Sequence, residues 1–70
     1  MMYYVGGIDV SIIKEDGGKY QILNTETLKW DEMEAPDLSA YMGISADGVR
    51  FLIQDSFEDE EKMQALLEMI

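Results

Sequence analysis

Seventy residues carry fifteen carboxylates against five lysine and arginine side chains, a formal charge of -10, with neither cysteine nor histidine; a chain of this size makes one small domain that buries only ~60% of its unfolded surface. The two missing residue types exclude disulfides, thiolate metal sites and cysteine nucleophiles, together with the commonest general base and transition-metal ligand. No apolar run approaches the ~20 residues of a membrane span, and Met1-Met2-Tyr3-Tyr4 lacks the basic region of a signal peptide, so a soluble, cytoplasmic protein without a cofactor is expected.

The charge is unevenly divided. Residues 1–30 hold four acids against three lysines, a net of minus one, whereas residues 31–70 hold eleven acids against Arg50 and Lys62, a net of minus nine. The field of the second part repels nucleic acid and anionic lipid and attracts basic partners, which argues against direct nucleic-acid or membrane binding.

Along the chain, Ile8, Val10 and Ile12 alternate with Asp9 and Ser11, and Tyr20-Gln21-Ile22-Leu23 follows the breaker Asp16-Gly17-Gly18. This is a hairpin signal. A two-residue turn at Gly17-Gly18 pairs Asp16 with Lys19, Ile13 with Ile22 and Ile12 with Leu23, and cross-strand charge favours it over a turn at Asp16-Gly17, which sets Lys14 opposite Lys19. Gly6-Gly7 marks an irregular entry to the first strand, or a bulge within a longer one. The run from Lys19 to Trp30 resembles the strand, turn, strand unit of propeller blades, with its turn at Asn24 to Thr27, and the resemblance implies a third strand around Leu28 to Asp31. Trp30 then belongs to the core or the sheet edge, or anchors an interface.

Pro36 rules out a continuous helix through the polar segment from Asp31 to Asp37. Asp37 can cap a short helix near 37–42, with Leu38, Tyr41 and Met42 on one face and Gly43 as terminator; the competing reading is a strand near Tyr41 to Ser45 that turns at Asp47-Gly48. Val49-Arg50-Phe51-Leu52-Ile53-Gln54 alternates as a strand, with Val49, Phe51 and Ile53 inward. Asp55 or Ser56 is then the N-cap of a terminal helix, each with a carboxylate three residues on. In that helix Met63, Leu66, Leu67 and Ile70 recur at offsets of three, four and seven and face the sheet. The expected fold is α+β: a small antiparallel sheet of three to four strands, hairpin or meander, packed by a C-terminal amphipathic helix.

Chemistry-bearing patterns are few. Gly7-Ile8-Asp9-Val10-Ser11 is similar to the opening strand of RNase H-like transposases and resolvases, and Asp9 would correspond to their first catalytic aspartate. Those folds need a larger chain with further metal-binding acids, so Asp9 is read as an outward residue of an amphipathic strand. An EF-hand loop with Gly48 in its glycine place puts the first ligand position on Gly43 and the last on Gln54, and the pattern fails.

What remains is acid density. Asp31, Glu32, Glu34 and Asp37 form one group and Asp55, Glu58, Asp59, Glu60 and Glu61 a second, together nine of the fifteen acids. Acids in a helix's first turn are stabilised by the macrodipole at ~0.3–1 kcal/mol each, which accounts for part of the second group and none of the first. The nine are the candidate face for a protein partner with a basic surface. Ile53-Gln54-Asp55-Ser56 is similar to a strand end in the small acidic phage inhibitors of uracil-DNA glycosylase, which present carboxylates where their target expects phosphates. The functional expectation is a non-enzymatic protein-binding module or regulator; the alternative is a nucleic-acid mimic of phage or mobile-element type. Homodimerisation is predicted separately, from the marginal core and from apolar residues on both faces of the hairpin.

Overall fold

The computed structural model describes residues 1–6 and 11–70. Five strands, β1 (Met2–Gly6), β2 (Ser11–Asp16), β3 (Lys19–Asn24), β4 (Lys29–Met33) and β5 (Tyr41–Ile44), precede two helices, α1 (Ala46–Ser56) and α2 (Glu60–Glu68). The fold is α+β as expected, with a larger sheet and one more helix. The readings placed on Gly7, Ile8, Asp9 and Val10 lie outside the described residues.

The β2–β3 hairpin has the expected register, Asp16 opposite Lys19 and Ile13 opposite Ile22. Its two-residue turn needs positive φ at both central positions, and Gly17 and Gly18 supply 60° and 84°. Asn24 organises the next turn: its Oδ1 accepts from the backbone N–H of Glu26 at 2.9 Å and of Thr27 at 3.1 Å, and its carbonyl accepts from Leu28 N–H at 2.8 Å. The third expected strand follows as β4, with Trp30 opposite Leu23.

The strand order is β4-β3-β2-β1-β5, every neighbouring pair antiparallel. β4 and β5 therefore run in the same direction at opposite edges, and residues 34–40 must carry the chain across the sheet. Four strand spacings and the length of a strand amount to roughly 23 Å, whereas the eight Cα–Cα steps from Met33 to Tyr41 reach roughly 26–29 Å when extended. A helix rising only ~1.5 Å per residue cannot make that crossing. This is why, of the two readings open for this segment, the short helix near 37–42 does not form and the strand, β5, does.

Register assigns the faces. Tyr3, Val5, Ile12, Leu23, Trp30 and Ile44 share one side, and they join Val49, Ile53 and Leu66 in the main core. Met2, Tyr4, Ile13, Ile22, Tyr20 and Met33 share the other. Ile13 is fully buried yet stands outside the main cluster, as do the half-buried Pro36 and Leu38 of the crossing. The crossing thus passes over the face the helices leave open. Gly6 lets it land: a Cβ there would lie 2.6 Å from the Ala40 carbonyl oxygen, a backbone atom with little freedom to yield.

Residues 49–54 are helical, which corrects the strand expected there. Ser45 caps α1, its Oγ accepting from Gly48 N–H at 3.1 Å. Val49 and Ile53, four residues apart, are both fully buried, while Phe51, on the opposite side of the helix, is 70% exposed. The expected cap at Asp55 or Ser56 is corrected as well, since both belong to the last turn of α1. Asp59 caps α2 instead, accepting from Lys62 N–H at 3.2 Å. From α2 onward the expected apolar stripe holds: Leu66 is fully buried, and Met63, Leu67 and Ile70 pack beside it. Arg50 ties the helices together by donating to the Ile70 carbonyl at 3.0 Å.

The helical assignment of residues 49–54 has a direct consequence for stability. Ile53→Ala should cost about 2–5 kcal/mol in urea unfolding, and Phe51→Ala should change stability by less than ~0.5 kcal/mol; comparable losses at the two positions would contradict the helix.

Candidate functional site

The nine candidate carboxylates are all exposed, and the fold divides them. Asp31 and Glu32 are consecutive on the edge strand β4 and point to opposite faces of the sheet, Asp31 away from the helices and Glu32 toward them. Asp31 accepts from Asn24 Nδ2 at 3.0 Å. Glu34 opens the crossing and lines a hollow with Gly18, Lys19, Tyr20, Glu32, Met33 and Ala35. Asp37 stands within the crossing, its Oδ1 accepting from the Ser39 N–H at 3.0 Å. Hydrogen bonds from the Ser39 backbone and side chain favour the charged form and hold its carboxyl below the ordinary aspartate value.

The second group rides on the helix layer. Asp55 lies near the end of α1, Glu58 in the connection, Asp59 at the cap of α2, and Glu60 and Glu61 in its first turn. Asp59 and Glu61 border a hollow with Thr25, Glu26, Leu28 and Lys62. That hollow adjoins the β3–β4 turn, at one end of β4, whereas Glu34 leaves from the other end. Glu34 and the hollow bordered by Asp59 and Glu61 thus lie toward opposite ends of β4, with Asp31 and Glu32 on the strand between them.

Two features of the helix layer escape a strand reading. Phe51 projects from α1 with Asp47 and Asp55 four residues to either side, hence on the same exposed face. Their i, i+4 spacing is visible in the sequence once Ser45 is taken as a helix cap. On α2, Glu60, Glu61, Gln64, Ala65 and Glu68 border one exposed surface, which brings in Glu68 beside two of the expected acids. Glu26 joins Asp59 and Glu61 only through the packing of a turn against a helix, a contact with no local sequence signal. The segment 53–56, likened above to an inhibitor strand end, is helical, so that likeness does not extend to the backbone.

The cations are turned elsewhere. Lys14 Nζ sits 4.3 Å from the centroid of the Trp30 ring and Lys62 Nζ 5.8 Å from that of Phe57, within cation–π range. Among the described residues the one ion pair joins Arg50 and Asp47 at 3.7 Å. Among the described residues none of the carboxylates from Asp55 to Glu61 forms an ion pair, although Lys62 borders the same hollow as Asp59 and Glu61. Among the described residues no group of three or more carboxylates is placed to hold a metal ion, and no helix is long and apolar enough to cross a membrane. Compared with protein-family models, curated proteins and solved structures, the chain finds no match.

The Asp37 turn makes a pH-dependent contribution of defined sign. A carboxyl whose folded value is depressed adds stability above its unfolded value and loses it as pH falls through the folded one. The Asp37 carboxyl carbon, followed by NMR, should titrate below an unstructured aspartate, and Ser39→Ala, which removes the side-chain donor, should move its midpoint upward; a midpoint at the unstructured value would contradict the turn.

Proposed function

We propose that this chain is a small, non-enzymatic protein-binding module or regulator, acting in the cytoplasm, that recognises a partner with a basic surface through the outward side of its helix layer. The observation that carries this reading is Phe51, 70% exposed on α1 and flanked by the exposed Asp47 and Asp55. A large aromatic ring gains most when it is desolvated in a partner's pocket, and surrounding carboxylates set charge complementarity and the rate of encounter. The exposed acids of α2, which form no ion pair, extend that field along the same layer.

A nucleic-acid mimic would use the same carboxylates differently. Its affinity would come from the row of charges in a basic groove, with the ring contributing little. Neutralisation should spare Asp59, because an aspartate cap is worth about 1 kcal/mol to its helix.

The two readings separate in one experiment. Immobilised wild-type chain is used to capture a partner from lysate of the source cells, and that partner's affinity is measured for Phe51→Ala and for the triple change Glu60→Gln, Glu61→Gln, Glu68→Gln. Protein recognition predicts at least a roughly tenfold loss for Phe51→Ala and a smaller, salt-dependent loss for the triple change. Mimicry predicts the reverse order, with competition by duplex DNA or RNA. A partner retained at full affinity by both variants would overturn the role of the helix layer.

A further inference from the structure

The two edges of the sheet differ in a way the acidic surface does not explain. β4, at one edge, carries Lys29, Asp31 and Glu32 in five residues. Charged side chains of this kind protect an edge from pairing with another chain. β5, at the other edge, carries none. It has no proline, its register against β1 runs without a bulge from Tyr3–Ile44 to Gly6–Tyr41, and the whole run from Leu38 to Ala46 lacks a charged side chain. Its neighbour β1, Met2–Gly6, lacks one too. In a chain with a net charge of -10, an uncharged edge, protected only by its four-residue length, is a marked departure from the rest of the surface.

The same edge is apolar at its flanks. Met42 is 66% exposed and Met2 49% exposed. One hollow beside β5 is lined by Val5, Gly6, Ser39, Ala40, Met42 and Leu52, and another by Met1, Met2, Tyr3, Gly43, Ile44 and Ala46. Alternation along an antiparallel edge leaves about half of the strand's N–H and C=O groups directed outward, and no described strand pairs with them.

We infer that the β5 edge is the interface at which two copies of this chain pair, antiparallel about a two-fold axis, to continue the sheet from one protomer into the other. Charge selects a second copy as the occupant. Two such acidic chains repel over most of their surfaces, and the β1–β5 end lets the strands pair along the uncharged run from Leu38 to Ala46, with Asp37 and Asp47 only at its margins. A basic partner of the helix layer would gain nothing from an uncharged edge. Antiparallel pairing is self-complementary, as a two-fold interface requires, and it supplies apolar burial that a chain of this length lacks. Whichever residue the axis passes, Met42 lies within the paired stretch.

The full chain is followed by sedimentation equilibrium from low to high micromolar concentration, with Met42→Lys in parallel. The wild type should approach twice its 8.0 kDa mass, and higher salt, which screens the repulsion, should preserve or strengthen the pairing. A lysine at an edge position already exposed to solvent should weaken dimerisation at least tenfold while far-UV circular dichroism stays unchanged. Amide hydrogen exchange on the wild type provides an arm that needs no variant: protection within Tyr41–Ile44 should rise with protein concentration, with no such rise in β4. A wild type that stays monomeric at high concentration, a dimer untouched by Met42→Lys, or concentration-dependent protection in β4 instead of β5 would each overturn the assignment.

Discussion

The pairing of β5 with β1, at the edge farthest from β4, is the constraint on which the rest of this structure depends. A meander of four strands leaves the chain at the wrong edge, and seven residues must return it across the full width of the sheet. That span forces the crossing to be extended, which suits Pro36 and excludes a helix. Pro36 and Leu38 of the crossing are half-buried, and Ile13 is fully buried on the face away from the helices. Once β5 is in place its end delivers Ser45 as the cap of α1, and the helix layer follows over Tyr3, Ile12 and Leu23.

This layout sorts charge as well as apolar surface. Solvent-facing sides of α1 and α2 can hold carboxylates at little cost, and Glu60 and Glu61 in the first turn of α2 are favoured by the helix dipole. β1, between β2 and β5, carries no charged side chain. Acids therefore gather on the helix layer and along β4, while the β1–β5 end stays neutral. The division between the two surfaces follows from the order of elements.

Much of the sheet was legible from local signals. Tandem glycines fixed the β2–β3 register, Asn24 and its successors announced the second turn, and the offsets of Met63, Leu66, Leu67 and Ile70 identified the packed side of α2. β1 was not legible, because Met-Tyr-Tyr-Val-Gly lacks the alternation of a half-exposed strand; it lies between β2 and β5, where both of its faces are partly covered. Val49 to Ile53 was ambiguous in principle, since two apolar residues four apart satisfy both periods. Phe51 tipped the sequence reading toward a strand, although its exposure is itself the feature of functional interest. The meeting of Glu26 with Asp59 and Glu61 could not be read at all, because it depends on which end of β4 meets α2, a consequence of tertiary packing.

The most direct test of this account is the backbone contact between β1 and β5, measured by NMR on isotopically labelled chain. Cross-strand contacts are predicted for Tyr3 with Ile44, Tyr4 with Gly43, Val5 with Met42 and Gly6 with Tyr41, with extended chemical shifts through residues 41–44. Helical shifts over residues 37–42, or a β1 that contacts β2 alone, would contradict the return crossing and with it the covered second face, the capped α1 and the uncharged edge.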